Sequence, residues 1–330
     1  MDELYDLKPA RKVFSRIGLA FCAILAVATV AQLAWVLIPQ LIWGEDNWMA
    51  TSSWGFWLTS FVPLYAFAIP AGLLLLRKLP AQKPQEHKLP FTSFLVIFPV
   101  CVFFMISGSL LGNILSALLS GGTAENALNE YAMDTNPLKV VVMVILAPLL
   151  EEYVCRKQII DRTLPYGEKT AVVLSAAVFG LLHQNLFQFF YAFALGLVFG
   201  YIYIRTGRLR YTVILHAIVN FMGSVIAPWV LQLADMEAIA GMDPTMPTEQ
   251  LIAVYMEILP GLLALLGYLF LYYGLAFAGF VLLIVMWRKQ QWKSIDTQLP
   301  KGTAFRTVYL NVGMILYVLL CVATTVLALL

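Results

Sequence analysis

Nine apolar runs, most of them close to the length that spans a bilayer, alternate with short polar connections. They fall at about 17–41, 54–76, 91–119, 138–160, 170–184, 186–204, 211–231, 261–287 and 307–330. A spanning helix needs about 20 mostly apolar residues. Basic residues occupy every second connection. Lys8, Arg11, Lys12 and Arg16 precede the first run, and Arg77, Lys78, Lys83 and Lys88 follow the second. Arg156, Lys157, Arg162 and Lys169 come at the end of the fourth, Arg205, Arg208 and Arg210 after the sixth, and five more between the eighth and ninth. Only Lys139 of the 21 Lys and Arg residues falls on the other side. The opposite connections hold Glu45, Asp46, Glu125, Glu130, Asp134, Asp235, Glu237, Asp243, Glu249 and Glu257. By the positive-inside rule this alternation predicts a cytoplasmic N-terminus and an outward C-terminus.

The expected fold is therefore all-α: a polytopic transmembrane helical bundle of about eight or nine spans. Composition agrees, with 61% hydrophobic and 12% charged residues, against about 45–50% and about 25% in soluble domains. A net charge of +2 does not suggest a nucleic-acid partner. Cys22, Cys101, Cys155 and Cys321 sit singly in apolar runs and read as small apolar residues. The fifth run is short and the turn after it tight, so runs five and six are candidates for a hairpin that reaches only part-way in. Segments 120–136 and 232–260 carry weak amphipathic patterns, such as Leu251, Val254, Tyr255 and Ile258, fit for the interface. Pro63, Pro70, Pro99 and Pro148 lie inside runs, where kinks are expected. The chain divides into N-terminal helices (1–136), a core (137–231) and an outer loop with C-terminal helices (232–330).

Ionisable groups inside a membrane are expensive and usually mark a working site. The fourth run leads without a break into Glu151, Glu152 and Arg156, while His183 ends the fifth and His216 and Asn220 lie in the seventh. At about 1.5 Å per residue, Glu151 lies roughly 18 Å from the basic end of its helix, and His183 about 21 Å above Lys169. His216 and Asn220 lie about 9 and 15 Å above Arg210, so all four positions share one broad layer. Glu152 and Arg156, four apart, can pair, which leaves Glu151 about 100° round the helix and free to face something else. Singly, each has a plainer reading: an interfacial ion pair, a packing histidine, an asparagine that joins helices. Together they form a set that could activate water and hold an oxyanion.

Other chemistries lack their residues. No G-x-S-x-G, no H-E-x-x-H and no phosphate-cradling glycine loop is present, and no run carries a buried aspartate pair.

In these residues the sequence resembles the CPBP family of intramembrane endopeptidases, which includes the type II CAAX prenyl proteases and bacteriocin-processing or immunity proteins. The family pattern E-E-x-x-x-R, F-x-x-x-H and H-x-x-x-N appears in order as Glu151-Glu152-x-x-x-Arg156, Phe179-x-x-x-His183 and His216-x-x-x-Asn220. The resemblance implies an integral, multi-pass membrane peptidase acting on a hydrophobic or lipid-associated peptide, prenylated or bacteriocin-like, near the cytoplasmic side. It implies Glu151 as the base that activates water with His183 assisting, His216 and Asn220 as oxyanion holders, and Glu152 and Arg156 as shapers of the site. The family has also been read as zinc-dependent, which would make Glu151, His183 and His216 metal ligands. A binding scaffold or immunity protein without turnover is the alternative expectation, and a transporter using the same groups as a relay is a further one.

Overall fold

The computed structural model describes residues 6–235, 240–241, 245–295 and 297–330, and among these the regular structure is entirely helical. The nine apolar runs become nine principal helices: α1 (Leu7–Trp43), α2 (Ser53–Leu76), α3 (Phe91–Ser120), α4 (140–163), α5 (Glu168–Leu182), α6 (Leu186–Thr206), α7 (Leu209–Leu233), α8 (Thr248–Trp287) and α9 (Val312–Leu327). Six of them, α1, α2, α3, α6, α7 and α8, are long and apolar enough to cross a membrane. The other three, set against the expected eight or nine spans, fall outside that set for physical reasons. α4 carries six charged residues (Glu151, Glu152, Arg156, Lys157, Asp161, Arg162), while α5 and α9 have only 15 and 16 residues. α5 would rise about 22 Å, short of a hydrocarbon core of about 30 Å.

Within the expected interfacial segment 232–260, the part 248–260 is not separate. It is the first third of α8 and runs through Pro260 without a break. The preceding stretch lies partly outside the described residues. In the segment 120–136 a single short helix forms, Leu128–Met133.

One apolar cluster joins α1, α2, α4, α5 and α9 around Phe14, Phe21, Ile24, Leu174 and Tyr317. A second joins α3, α6 and α7 around Cys101, Phe199 and Leu215. α1 and α9 meet backbone to backbone: a Cβ on Gly18 would stand 2.2 Å from the carbonyl carbon of Gly313. Only glycine permits that approach. The outward faces stay apolar, as at Leu41, Leu118, Phe270 and Phe277. Such continuous apolar surface on multiple long helices fits lipid, not water.

The side with the basic connections is closed by hydrogen bonds between segments. Arg162 Nε donates to the Leu76 carbonyl at 3.0 Å, the Tyr203 hydroxyl to Asp161 at 2.9 Å, and the His87 N–H to the Thr206 carbonyl at 2.9 Å. Arg205 pairs with Glu168, whose Oε2 also accepts from the Lys293 N–H at 2.8 Å.

Candidate active site

The site begins with a proline. α4 opens as a wide, five-residue-register turn over Val140–Leu146, whose last bond runs from the Ala147 N–H to the Val142 carbonyl. The next bond in that register would join position 148 to the Met143 carbonyl, but Pro148 has no N–H. The orphaned Met143 carbonyl accepts from Asn220 Nδ2 at 2.8 Å instead. Asn220 thereby ties α7 to α4. The wide turns Pro63–Ala68 and Met222–Ile226 likewise end two residues before a proline, Pro70 and Pro228.

A further wide turn, Glu152–Gln158, has no proline and holds the charged motif itself. Wide turns inside α-helices often mark functional positions. Glu152 and Arg156 have no exposed side-chain surface and pair at 3.1 Å. The guanidinium also reaches the Ser175 hydroxyl at 3.3 Å, and its carbon lies 4.3 Å above the centre of the Phe179 ring. The Ser175 hydroxyl donates to the Cys155 carbonyl at 2.7 Å, fixing α5 against α4. A charge pair this deep is sustained only because its polar atoms are largely matched. Arg156 Nη2 makes no hydrogen bond.

Glu152 also faces His216: the ring Nδ1 is 3.1 Å from its Oε1. A carboxylate already paired with Arg156 is ionised and accepts, so the Nδ1 proton belongs to His216. In a neutral ring Nε2 is then bare. His183 is set the same way. Its Nδ1 lies 2.9 Å from the Phe179 carbonyl, which can only accept, so its Nε2 is bare as well. Phe179 touches both rings edge-on, with centroids 5.0 Å from His183 and 5.6 Å from His216. The F-x-x-x-H spacing thus provides both the acceptor and the wall.

Glu151 is the carboxylate that is not enclosed. Its side chain is 23% exposed, against 0% for Glu152, and its Oε2 stands 3.7 Å from His216 Nε2. Beyond direct hydrogen-bond length, this is within reach of a shared solvent molecule or, with a protonated ring, an ion pair. Glu151, His183, His216 and Asn220 line one cavity of about 300 Å³. A smaller apolar cavity of about 180 Å³, walled by Leu64, Ile69, Val154 and Leu182, shares Glu151 and His183 with it.

The larger cavity reaches Leu128, Tyr131 and Ala132 of the acidic connection between α3 and α4 and no residue of the basic connections. α5 ends at His183 on the side away from Lys169, and the basic side is closed beneath.

Of the six sequence-predicted residues, four line the cavity, while Glu152 and Arg156 lie behind it. The histidine tautomers would suit a metal, yet among the described residues no group of three His, Cys, Asp or Glu side chains converges to hold one. Sequence reasoning did not single out Tyr191, Gln188, Tyr131 or Ser60, which also line the cavity. For two of these a signal existed: Asn185, Gln188 and Tyr191 recur at intervals of three, one helix face.

Residues 134–222 match the family model described as "Type II CAAX prenyl endopeptidase Rce1-like". The chain is also 27% identical over 157 residues to a Bacillus subtilis (strain 168) protein described as "Putative membrane peptidase YdiL". That alignment covers 45% of this chain and 63% of the relative, so the chain spans less than two thirds of the relative's length. No solved structure matches it.

Proposed function

We propose that this chain, a multi-pass membrane protein that belongs through residues 134–222 to the Rce1-like type II CAAX prenyl endopeptidase family, hydrolyses a peptide bond within the membrane. The observation that carries the reading is the contrast between two adjacent carboxylates. Glu152 is fully enclosed and orients His216, while Glu151 faces a cavity walled by two bare imidazole nitrogens.

In this reading Glu151 takes a proton from water as the oxygen attacks the scissile carbonyl carbon. His183, through Nε2, accepts the water's other proton in a hydrogen bond and holds it in line. The carbonyl electron pair moves onto oxygen, giving a tetrahedral oxyanion. Collapse breaks the C–N bond, and the proton held by Glu151 leaves with the amine. General-base assistance of this kind is typically worth about 10²–10⁴-fold.

The substrate is a hydrophobic or lipid-associated peptide that reaches the site through the bilayer. The apolar outer surface and the smaller, apolar-walled cavity beside Glu151 and His183 support that class. With a cytoplasmic N-terminus, which the distribution of basic residues supports, the larger cavity faces the outer half of the membrane.

The test uses purified protein in detergent, with a farnesylated CAAX peptide and its unlipidated counterpart, products being read by mass spectrometry. Cleavage of at least one supports the reading; cleavage of neither, nor of a peptide library, removes it. Chelation distinguishes the catalytic type. Activity retained after removal of bound metal fits the glutamate mechanism, whereas loss restored by stoichiometric zinc replaces it.

A further inference from the structure

A tetrahedral oxyanion needs hydrogen-bond donors aimed at it, and preorganised donors are a large term in such catalysis. The family motif is short of them here. His183 and His216 each give their Nδ1 proton away from the cavity, to the Phe179 carbonyl and to Glu152. Asn220 directs one of its two Nδ2 protons at the Met143 carbonyl, leaving a single N–H of the motif for the cavity. The hydroxyls that line the cavity are mostly engaged too. Ser60 donates to the Phe56 carbonyl at 2.9 Å, Tyr131 to Ser60 at 3.0 Å, and Ser224 to the Asn220 carbonyl at 2.6 Å.

Tyr191 is different. Its hydroxyl oxygen accepts from Gln188 Nε2 at 2.9 Å, and the Gln188 Oε1 in turn accepts from Asn185 Nδ2 at 2.9 Å. Both bonds run in one direction, so the Tyr191 proton is left over at the end of the relay, and aligned bonds polarise one another. Asn185 also caps α6 by accepting the Gln188 N–H at 2.9 Å and donates to the His183 carbonyl at 2.7 Å. The relay is therefore anchored on the same turn that places His183. The backbone at Tyr191 is held as closely. A Cβ on Gly108 of α3 would stand 2.5 Å from the Tyr191 Cα, so α3 presses directly on this turn of α6.

The geometry points to Tyr191 as a further catalytic residue: its phenol O–H, aimed by Gln188 and Asn185, donates to the carbonyl oxygen of the scissile bond as negative charge develops there. The proton stays on Tyr191 throughout, and the oxyanion is stabilised by the hydrogen bond rather than by transfer. This inference rests on the peptidase reading and adds to it a donor that no part of the three-part motif contains.

The test compares wild type, Tyr191→Phe, Gln188→Leu and Glu151→Gln on whichever peptides wild type cleaves in a mass-spectrometric library screen. Tyr191→Phe keeps the ring and its packing, and thermal unfolding checks the fold. Loss of one oxyanion donor lowers kcat by about 10²–10³-fold. The expected result is such a drop with KM within about threefold. Gln188→Leu, a positioning variant, is expected to lower kcat less, by about 10-fold, because the phenol survives without its guide. Tyr191→Phe should also weaken a peptidyl phosphonate inhibitor, which mimics the tetrahedral state, by the same factor as kcat/KM. Wild-type rates in Tyr191→Phe, or equal losses in ground-state and phosphonate binding, overturn the inference while leaving the peptidase reading intact if Glu151→Gln is dead. Wild-type cleavage by Glu151→Gln overturns the reading beneath it.

Discussion

His216 Nδ1 lies 3.1 Å from Oε1 of Glu152, a carboxylate with no exposed surface whose other oxygen holds Arg156. The two adjacent glutamates therefore stand in different surroundings, and substitution separates them. Glu152→Gln breaks a buried pair and leaves Arg156 uncompensated, a loss of about 3–5 kcal/mol in comparable cases. Glu151→Gln changes a partly open group and is expected to shift stability by less than about 1 kcal/mol. Thermal unfolding in detergent checks this; equal destabilisation would contradict the division of roles.

Arg156→Lys is not a conservative change at this position. The guanidinium pairs with Glu152, reaches Ser175 and stacks over Phe179 at once. An ammonium can meet the carboxylate but cannot stack as a plane or fork to Ser175. The expected outcome is a loss of about 2 kcal/mol or more, together with reduced activity as Glu152, the partner of His216, is held less firmly. Denaturant midpoints and kcat for the variant test it, and unchanged values for both would contradict it.

Asn220 is expected to act on stability through a carbonyl that Pro148 orphans. Asn220→Ala leaves the Met143 carbonyl without a donor, a loss of about 1–3 kcal/mol for a buried group. Pro148→Ala restores an N–H at the position that would bond Met143 in the wide-turn register. The effect of Asn220→Ala should thus be smaller in a Pro148→Ala background, by about 1 kcal/mol in a double-mutant cycle. Strict additivity would show the two residues to be uncoupled.

Asp134 gives a pH dependence outside the membrane. Burial pushes its carboxyl up, but the Asn136 N–H, Ser53, Trp57 and the charge on Lys139 together hold it below the ordinary value. A lowered folded-state pKa contributes stability that is present above about pH 4 and is lost as pH falls through the folded value. Hydrogen exchange over residues 121–139 should accelerate, after correction for intrinsic rates, between pH 5 and about pH 3. Asp134→Asn should abolish that difference. Unchanged protection at low pH in the native chain would contradict it.

Much of this was legible in the sequence because membrane burial filters residue types so strongly. The apolar runs predict the nine helices closely, and the polar residues stand out against them. The roles of Glu152 and Glu151 follow from four-residue spacing to Arg156. What spacing could not show is direction. Asn220 is on the expected face but turned to a backbone carbonyl, for a reason that lies on α4 at Pro148. The wide turn over Glu152–Gln158 has no proline to announce it. Tyr191 was hidden because a tyrosine among Phe187, Phe189, Phe190 and Phe193 reads as another aromatic of an apolar helix. Only the engagement of its neighbours' protons sets it apart. The span count also exceeded what α4, α5 and α9 support by length and charge, since a run closed by charged residues resembles a crossing until the helix ends are seen.

The most direct measurement is the rate of peptide cleavage by purified Glu151→Gln against wild type, in one detergent and with matched unfolding temperatures. The expected result is a fall of at least about 10²-fold, the lower end of what a lost general base removes. Cleavage at the wild-type rate by a folded Glu151→Gln protein would contradict the account.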